Sequence, residues 1–137
     1  MSFHSYHYVV EMAPVSKKNS QQIVRNRVTG SPFVIQSAAY QKYEALAGYY
    51  LRPKPPEPIN YPVTVRCTFY MPTRRKVDTS NLCAAIHDIL VKYRILADDC
   101  RDIIASTDGT RTYYDKEHPR TEISITPFEE QYAQWKE

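Results

Sequence analysis

Residues 61–94, YPVTVRCTFYMPTRRKVDTSNLCAAIHDILVKYR, contain the two clearest structural patterns in the chain. In 61–71, apolar side chains alternate strictly with polar ones, which predicts a β-strand with one buried face. Cys67 lies on the apolar side of this pattern, so we expect it in the core. From Thr79 to Arg94, apolar residues recur at helical spacing, which predicts an amphipathic helix packed through Leu82, Ala85, Ile86, Ile89, Leu90 and Tyr93.

Upstream of this stretch, the sequence predicts three strands and a second helix. The alternation in 6–12 indicates a first strand, and 22–28 and 33–35 read as a hairpin joined by a turn containing Gly30. Ser37 is a good N-cap residue, and it precedes a helix predicted for 38–51.

The rest of the chain completes a small α+β domain. Residues 52–58 contain four prolines and predict an extended connector. Another strand is expected to open at Ile103–Ile104, and a last one covers 121–125. We therefore predict a small mixed β-sheet covered by two helices, forming one domain over 1–128, with a polar C-terminal tail at 129–137.

Composition excludes several classes of protein. A chain of 137 residues suits a single domain, and no apolar run approaches the ~18–20 residues of a membrane span. The first residues lack the features of a signal peptide. The three cysteines contain no CxxC pair, which argues against a zinc ribbon or a disulfide scaffold. We expect a cytoplasmic protein with no membrane partner.

The charge distribution is more informative than the net charge of +3. Cations collect in two clusters, the first with Lys17, Lys18, Arg25 and Arg27 and the second with Arg74, Arg75 and Lys76. Carboxylates follow downstream at Asp78, Asp88, Asp98, Asp99, Asp102 and Asp108. This pattern suits a metal-dependent enzyme acting on a polyanion, in which cations hold phosphates and carboxylates hold a metal. The alternative is that both groups are ordinary solvated surface charge.

Asp78 precedes the second predicted helix, and Asp98–Asp99 follow it. The ends of a 16-residue helix are ~24 Å apart, so these carboxylates converge only if the chain doubles back after Leu90 or if the strand after Asp99 runs beside 61–71. If they converge, they form a site suited to Mg²⁺. Asn81 and Asp88 lie on one stripe of the helix and would orient ligands or waters.

Each carboxylate also has a plain structural interpretation. Asp78 would serve as a helix N-cap, and Asp98–Asp99 would form a solvated turn. Asp88 would pair with Lys92 at i, i+4. Asp108–Gly109 reads as a turn or bulge, and the four histidines show no ligand spacing, so neither group is assigned chemistry.

The run MPTRRKVDTSNL at 71–82, then Ala85, 88–90 and 96–99, resembles the RusA family of Holliday-junction resolvases. The family pattern is a basic segment, D-x-D-N-L-x-K, an Asp within the helix, and a DD pair after it. The resemblance extends upstream to 13–19 and downstream to 120–123, so it covers nearly the whole chain.

The resemblance implies a homodimeric endonuclease that binds four-way DNA junctions and uses Mg²⁺ or Mn²⁺ to make paired, symmetric nicks. In this sequence Asp78 and Asn81 match the motif, Asp88 matches the helix Asp, and Asp98 with Asp99 match the DD pair. We therefore expect Asp78 and Asp99 as the principal metal ligands, with Asp98 and Asp88 in support. Lys17, Lys18, Arg74, Arg75 and Lys76 are expected to contact phosphates, an inference from charge and placement.

Two positions depart from the family pattern. Ser80 stands where a second Asp is expected, and it offers a hydroxyl without a charge. Ala84 stands where a Lys is expected, and loss of such a cation would cost on the order of 3 kcal/mol of transition-state stabilisation if nothing replaces it. Candidate replacements are Arg74, Arg75, Lys76 and Lys116. Two further hypotheses stay open: a branched-DNA binding module without catalysis, and a phosphohydrolase acting on small phosphate esters.

Overall fold

The computed structural model describes residues 4–17 and 21–128. Predictions that concern Lys18 or the tail at 129–137 lie outside the described residues. The elements in chain order are β1 (Tyr6–Val10), β2 (Gln21–Arg25), β3 (Pro32–Gln36), α1 (Ala38–Ala47), a 3₁₀ turn (Gly48–Tyr50), β4 (Val63–Met71), α2 (Thr79–Lys92), β5 (Ile104–Ser106), β6 (Arg111–Tyr114) and β7 (Arg120–Pro127).

The main sheet is mixed, as the sequence predicts, and it has five strands. β7 lies between β1 and β4 and is antiparallel to both. The other edge of β4 pairs in parallel with two short strands, β5 near its start at Val63 and β6 near its end at 68–71. Parallel pairing requires a crossover between the strands, and α2 provides it. β2 and β3 form a separate two-stranded hairpin.

The core confirms the periodicity of the two central elements. Along β4, the side chains of Val63, Val65, Cys67 and Phe69 are at most 1% exposed. Both helices pack into the same core as the sheet, which confirms the predicted α+β arrangement. The buried helical residues are Tyr40, Tyr43 and Ala47 from α1, and Leu82, Ala85, Ile86, Ile89 and Leu90 from α2.

Several predicted elements end earlier than the sequence pattern suggests, because local backbone geometry interrupts them. The Asn26 side-chain oxygen accepts hydrogen bonds from the N–H groups of Val28 and Thr29, so the hairpin turn begins at Asn26 and strand β2 ends at Arg25. α2 ends at Lys92 because Arg94 adopts φ of 63°, a left-handed conformation that no right-handed helix can contain.

Strand β6 is absent from the sequence-based prediction. Its residues, Arg-Thr-Tyr-Tyr, lack a buried apolar face, and Tyr113 and Tyr114 are 51% and 41% exposed. The strand exists because its backbone pairs with β4 in a parallel register that matches Thr68 with Arg111. β6 matters for the site, since it places its first residues beside the N-terminal end of α2.

Candidate active site

Asp78 is the N-cap of α2, which confirms the structural interpretation of this residue. Its Oδ1 accepts hydrogen bonds from the backbone N–H of Ser80 at 3.0 Å and from the Ser80 hydroxyl at 2.7 Å. An exposed carboxylate at a helix N-terminus is favoured by the helix dipole. Both of these capping contacts are made to one carboxylate oxygen, Oδ1.

A groove of about 530 Å³ begins beside this cap and follows α2. One wall is a face of the helix, and the other is the turn between β5 and β6. The groove is lined by Thr79, Ser80, Cys83, Ala84 and His87 on the helix, and by Thr107, Asp108, Gly109, Thr110 and Arg111 opposite. The two positions that depart from the family motif, Ser80 and Ala84, therefore lie in this groove.

His87 marks the far end of the groove. Its Nε2 is buried and has no hydrogen-bond partner among the described residues. Burial lowers the pKa of His87, and the negative charges of Asp99 and Asp88 act in the opposite direction. The negative charge of Asp99 therefore lies close enough to act on His87. His87 itself lies ~12 Å from Thr79 along the helix axis.

The chain after Asp99 runs beside β4, which is one of the two arrangements considered above. β5 pairs in parallel with the start of β4, at Val63, whereas Asp78 follows the end of β4. Both members of the DD pair are exposed, and the N–H of Asp99 donates to Oδ1 of Asp98 at 2.7 Å, which is the geometry of a local turn. Over residues 4–17 and 21–128, no three His, Cys, Asp or Glu side chains form a metal-binding group. A metal shared by Asp78, Asp98 and Asp99 stays a prediction.

Asp88 has a different ionic partner from the one its helical spacing suggests. Lys17 Nζ lies 2.7 Å from Asp88 Oδ2, and Lys92 pairs instead with Glu44 at 2.6 Å. The predicted Asp88–Lys92 pair is therefore wrong, because each side chain finds a partner from another part of the chain. The contact links the loop after β1 to α2, and it joins one of the predicted phosphate contacts, Lys17, to a predicted supporting carboxylate.

We expect the Lys17–Asp88 pair to contribute little to stability. Both side chains are about one third exposed, at 34% and 35%. A double-mutant cycle with Lys17→Ala and Asp88→Ala, measured by urea unfolding, should give a coupling of about 0.2–1 kcal/mol that decreases with added salt. The equivalent cycle on Lys92 and Glu44 is the matched control. A coupling that is larger than about 2 kcal/mol or insensitive to salt would contradict this expectation.

The segment between β4 and α2 forms an exposed cationic surface. Arg74, Arg75 and Lys76 are all exposed, and the Arg74 guanidinium lies 4.1 Å from the centre of the Tyr114 ring. A shallow cleft of about 240 Å³ separates this segment from β6. An arginine over an exposed aromatic ring is an arrangement that suits nucleic acid, because bases stack on aromatic rings and phosphates pair with guanidinium groups.

The comparison with known families agrees with this geometry. The family model of endodeoxyribonuclease RusA matches residues 11–126 of the 137-residue chain. The chain belongs to the RusA family. No curated protein sequence gives a significant match. The family is one of endodeoxyribonucleases, which supports nuclease activity and DNA as the substrate class. No helix in the described part of the chain is both long and apolar enough to span a bilayer.

Within this RusA-family chain, the structure brings together some residues that sequence reasoning did not assign. Ser80 and Asn81 follow Asp78 in the first turn of α2, as the motif implies. His87, Asp108 and Arg111 line the same groove, although the sequence predicted only a turn at Asp108–Gly109 and nothing at Arg111. That turn is confirmed, since the N–H of Thr110 donates to the carbonyl of Thr107 at 3.2 Å. No local sequence signal could have placed it opposite α2.

Proposed function

We propose that this protein is a Mg²⁺- or Mn²⁺-dependent, structure-selective endonuclease that resolves four-way DNA junctions by paired symmetric nicks. The observation that carries the proposal is the position of Asp78. This carboxylate caps α2 beside a groove of about 530 Å³, and one residue, Val77, separates it from the exposed cationic segment at 74–76. A cationic segment that suits a negatively charged substrate and a carboxylate thus lie close together along the chain, both exposed.

The donor atoms near Asp78 fit a hard divalent cation. The Asp78 carboxylate and the Ser80 hydroxyl are oxygen donors, and Mg²⁺ is commonly held by one or two carboxylates plus waters and substrate phosphate. Asp78 would hold the ion, with Asp99 and Asp98 as the further predicted ligands. When bound, the ion lowers the pKa of a coordinated water and neutralises charge on the phosphate. The chain's own arginines and lysines hold the DNA backbone in place for this step.

Paired nicking requires two active sites. A four-way junction offers two equivalent strands related by a two-fold axis, so a homodimer with an isologous interface would match this symmetry. Each protomer would then contribute one Asp78 site and one cationic segment. This stoichiometry follows from the symmetry of the substrate, and it forms part of the proposal.

A nicking assay on a synthetic four-way junction tests the proposed function. The assay compares Mg²⁺, Mn²⁺ and EDTA, with a linear duplex of the same arm sequences as the control substrate. We expect paired nicks in the junction only when metal is present, and little cutting of the duplex. Metal-stimulated hydrolysis of the duplex at the same rate would contradict structure selectivity.

The alternative is a branched-DNA binding module without nuclease activity. It is favoured by a specific observation, the uncharged Ser80 and Ala84 within the groove. Tight junction binding without nicks under either metal would support this alternative.

The cationic segment predicts a measurable salt dependence of DNA binding. Each phosphate that a protein neutralises contributes roughly one log unit of affinity per log unit of salt. Arg75→Ala should therefore reduce the slope of log affinity against log salt by about one, measured by fluorescence anisotropy on a labelled junction. Lys42→Ala, an exposed lysine on α1, is the matched control and should leave the slope unchanged. Equal slopes for both variants would remove Arg75 from the DNA contact.

A further inference from the structure

Two tyrosines at the end of β6 are exposed close to Asp78. Tyr113 and Tyr114 both line the cleft of about 240 Å³ between β6 and the segment that precedes α2. We propose that this cleft binds unstacked bases at the branch point of a DNA junction, through stacking on Tyr113 and Tyr114. This inference rests on the proposed function and deepens it, because it names residues that distinguish a junction from a duplex.

The strand that carries the tyrosines is fixed against the start of α2. The hydroxyls of Thr112 on β6 and Thr79 on α2 are hydrogen-bonded at 2.7 Å. Thr79 is the residue after Asp78, and Tyr113 is the next residue on β6. Consecutive Cα atoms are ~3.8 Å apart, so this hydrogen bond gives a short path from the aromatic pair to the cap residue. The tyrosines therefore have a defined position near Asp78.

The Tyr113 ring is supported by other side chains of the sheet. It stacks on the Tyr70 ring of β4, with centroids 5.7 Å apart and an interplanar angle of 28°. The Arg120 guanidinium in turn lies 3.7 Å from the centre of the Tyr70 ring. Two carboxylates, Asp115 and Glu122, hold that guanidinium at 3.1 and 2.8 Å. A ring supported in this way loses little conformational freedom when a base stacks on it, which favours binding.

Tyr114 adds a second ring together with positive charge. The Arg74 guanidinium lies 4.1 Å from the centre of the Tyr114 ring. Side chains alternate along a strand, so Tyr113 and Tyr114 lie on opposite faces of β6. Arg74 and Arg75 also line the cleft, and the described lining contains no acidic side chain. A nucleotide combines an aromatic base with a phosphate, so the cleft suits it in charge as well as in aromatic character.

The difference between a junction and a duplex explains why such a cleft would discriminate between them. Inside a linear duplex, each base is stacked on both faces by its neighbours. At the branch point of an unstacked four-way junction, the last base pair of each arm loses one neighbour and exposes a face. Aromatic side chains stack on exposed bases with little dependence on sequence. The cleft would thus strengthen binding to a junction without strengthening binding to a duplex.

Variants that remove the rings but keep apolar bulk test the proposal. Tyr113→Leu and Tyr114→Leu should each weaken binding to a synthetic four-way junction at least about fivefold, and binding to a linear duplex less than about twofold. The measurement is fluorescence anisotropy in EDTA, so that metal-dependent cleavage does not occur. Tyr113→Phe and Tyr114→Phe keep the ring and should bind the junction as the wild type does. Tyr49→Leu, at an exposed tyrosine of the 3₁₀ turn, is the matched control.

The salt dependence and a modified junction identify what the rings contact. Stacking releases no counterions, so both leucine variants should keep the wild-type slope of log affinity against log salt, unlike Arg75→Ala. A junction with abasic sites at the branch point lacks the proposed partner bases, and it should bind the wild-type protein at least about fivefold more weakly. On this junction the leucine substitutions should have little further effect. Additive losses would overturn the assignment of a base as the partner.

Other results of the binding measurements would also overturn the inference. Equal weakening for the junction and the duplex would assign the rings to the DNA backbone or to the fold. Weaker junction binding by the phenylalanine variants would assign the effect to the hydroxyl groups. If the leucine variants form smaller assemblies than the wild type in analytical ultracentrifugation, the cleft is an interface between copies of the chain.

The outcomes separate this inference from the proposed function. If the wild-type protein cuts junctions with metal but both leucine variants bind junction and duplex as it does, the inference fails and the proposed function stands. If the wild-type protein does not cut under either metal, the proposed function fails. In that case the anisotropy in EDTA still decides the role of the cleft. A loss confined to the junction in the leucine variants supports the inference, and wild-type affinity in both variants overturns it.

Discussion

Asp78→Asn is expected to reduce metal-dependent nicking of a four-way junction by at least about 100-fold, with junction binding changed by no more than roughly twofold. The physical reason is the loss of a charged oxygen donor at the mouth of the groove. Asn is nearly as good an N-cap as Asp, so α2 and its contacts should be retained. The measurement is the single-turnover cleavage rate beside the equilibrium binding curve, both in Mg²⁺.

Asp78→Ala separates the catalytic contribution from the structural one. Alanine removes the cap as well as the charge, because Ser80 then loses its acceptor Oδ1. This variant should lose about 1 kcal/mol of unfolding free energy in addition to the cleavage defect, whereas Asp78→Asn should lose much less. Cleavage at the wild-type rate by Asp78→Asn would show that Asp78 is only a helix cap.

Phe69→Ala should have the largest effect on stability, with a loss of about 3–5 kcal/mol of unfolding free energy. Phe69 is 0% exposed and lies on β4, between its partners Thr121 on β7 and Thr112 on β6. Removing the ring leaves a cavity that the surrounding helices and strands fill only in part. Because small domains have only about 5–15 kcal/mol of stability in total, this substitution should lower the urea midpoint substantially.

Thr68→Ala is the control for this prediction. Thr68 neighbours Phe69 on the same strand, but its side chain points to the other face and is only partly buried. We expect a loss of about 1 kcal/mol or less, within the range of β-propensity differences. Similar losses for Phe69→Ala and Thr68→Ala would mean that the apolar face of β4 does not form the main core.

The main elements of the fold could be predicted because their signals are local. The alternation in β4 and the helical spacing in α2 each reflect burial of one face, and the structure buries those faces. The caps at Ser37 and Asp78 were also recognisable, since a side-chain oxygen at that position satisfies a backbone N–H within the next few residues. Element ends were less accurate, as shown by Asn26 and the left-handed backbone at Arg94.

The remaining features depend on contacts between distant parts of the chain. β6 has no apolar alternation and forms through backbone pairing with β4, about 43 residues earlier in the chain at the Thr68–Arg111 register. The partner of Asp88 is Lys17, 71 residues away, and helical spacing alone favoured Lys92. Electrostatic attraction acts between whichever charges the fold brings together, so local spacing did not identify this pair.

Some features of the candidate site were also predictable from local sequence, and others depend on contacts between distant parts of the chain. The sequence by itself determined the family, the position of Asp78 before α2 and the cationic segment before it, because these form one continuous motif in the chain. Only the tertiary structure decided that Asp108 and Arg111 line the groove with Ser80 and Ala84. β5 and β6 both pair in parallel with one edge of β4, and this pairing places the turn between them beside α2. Strand pairing joins residues that are distant in the chain, so it could not be predicted from local sequence.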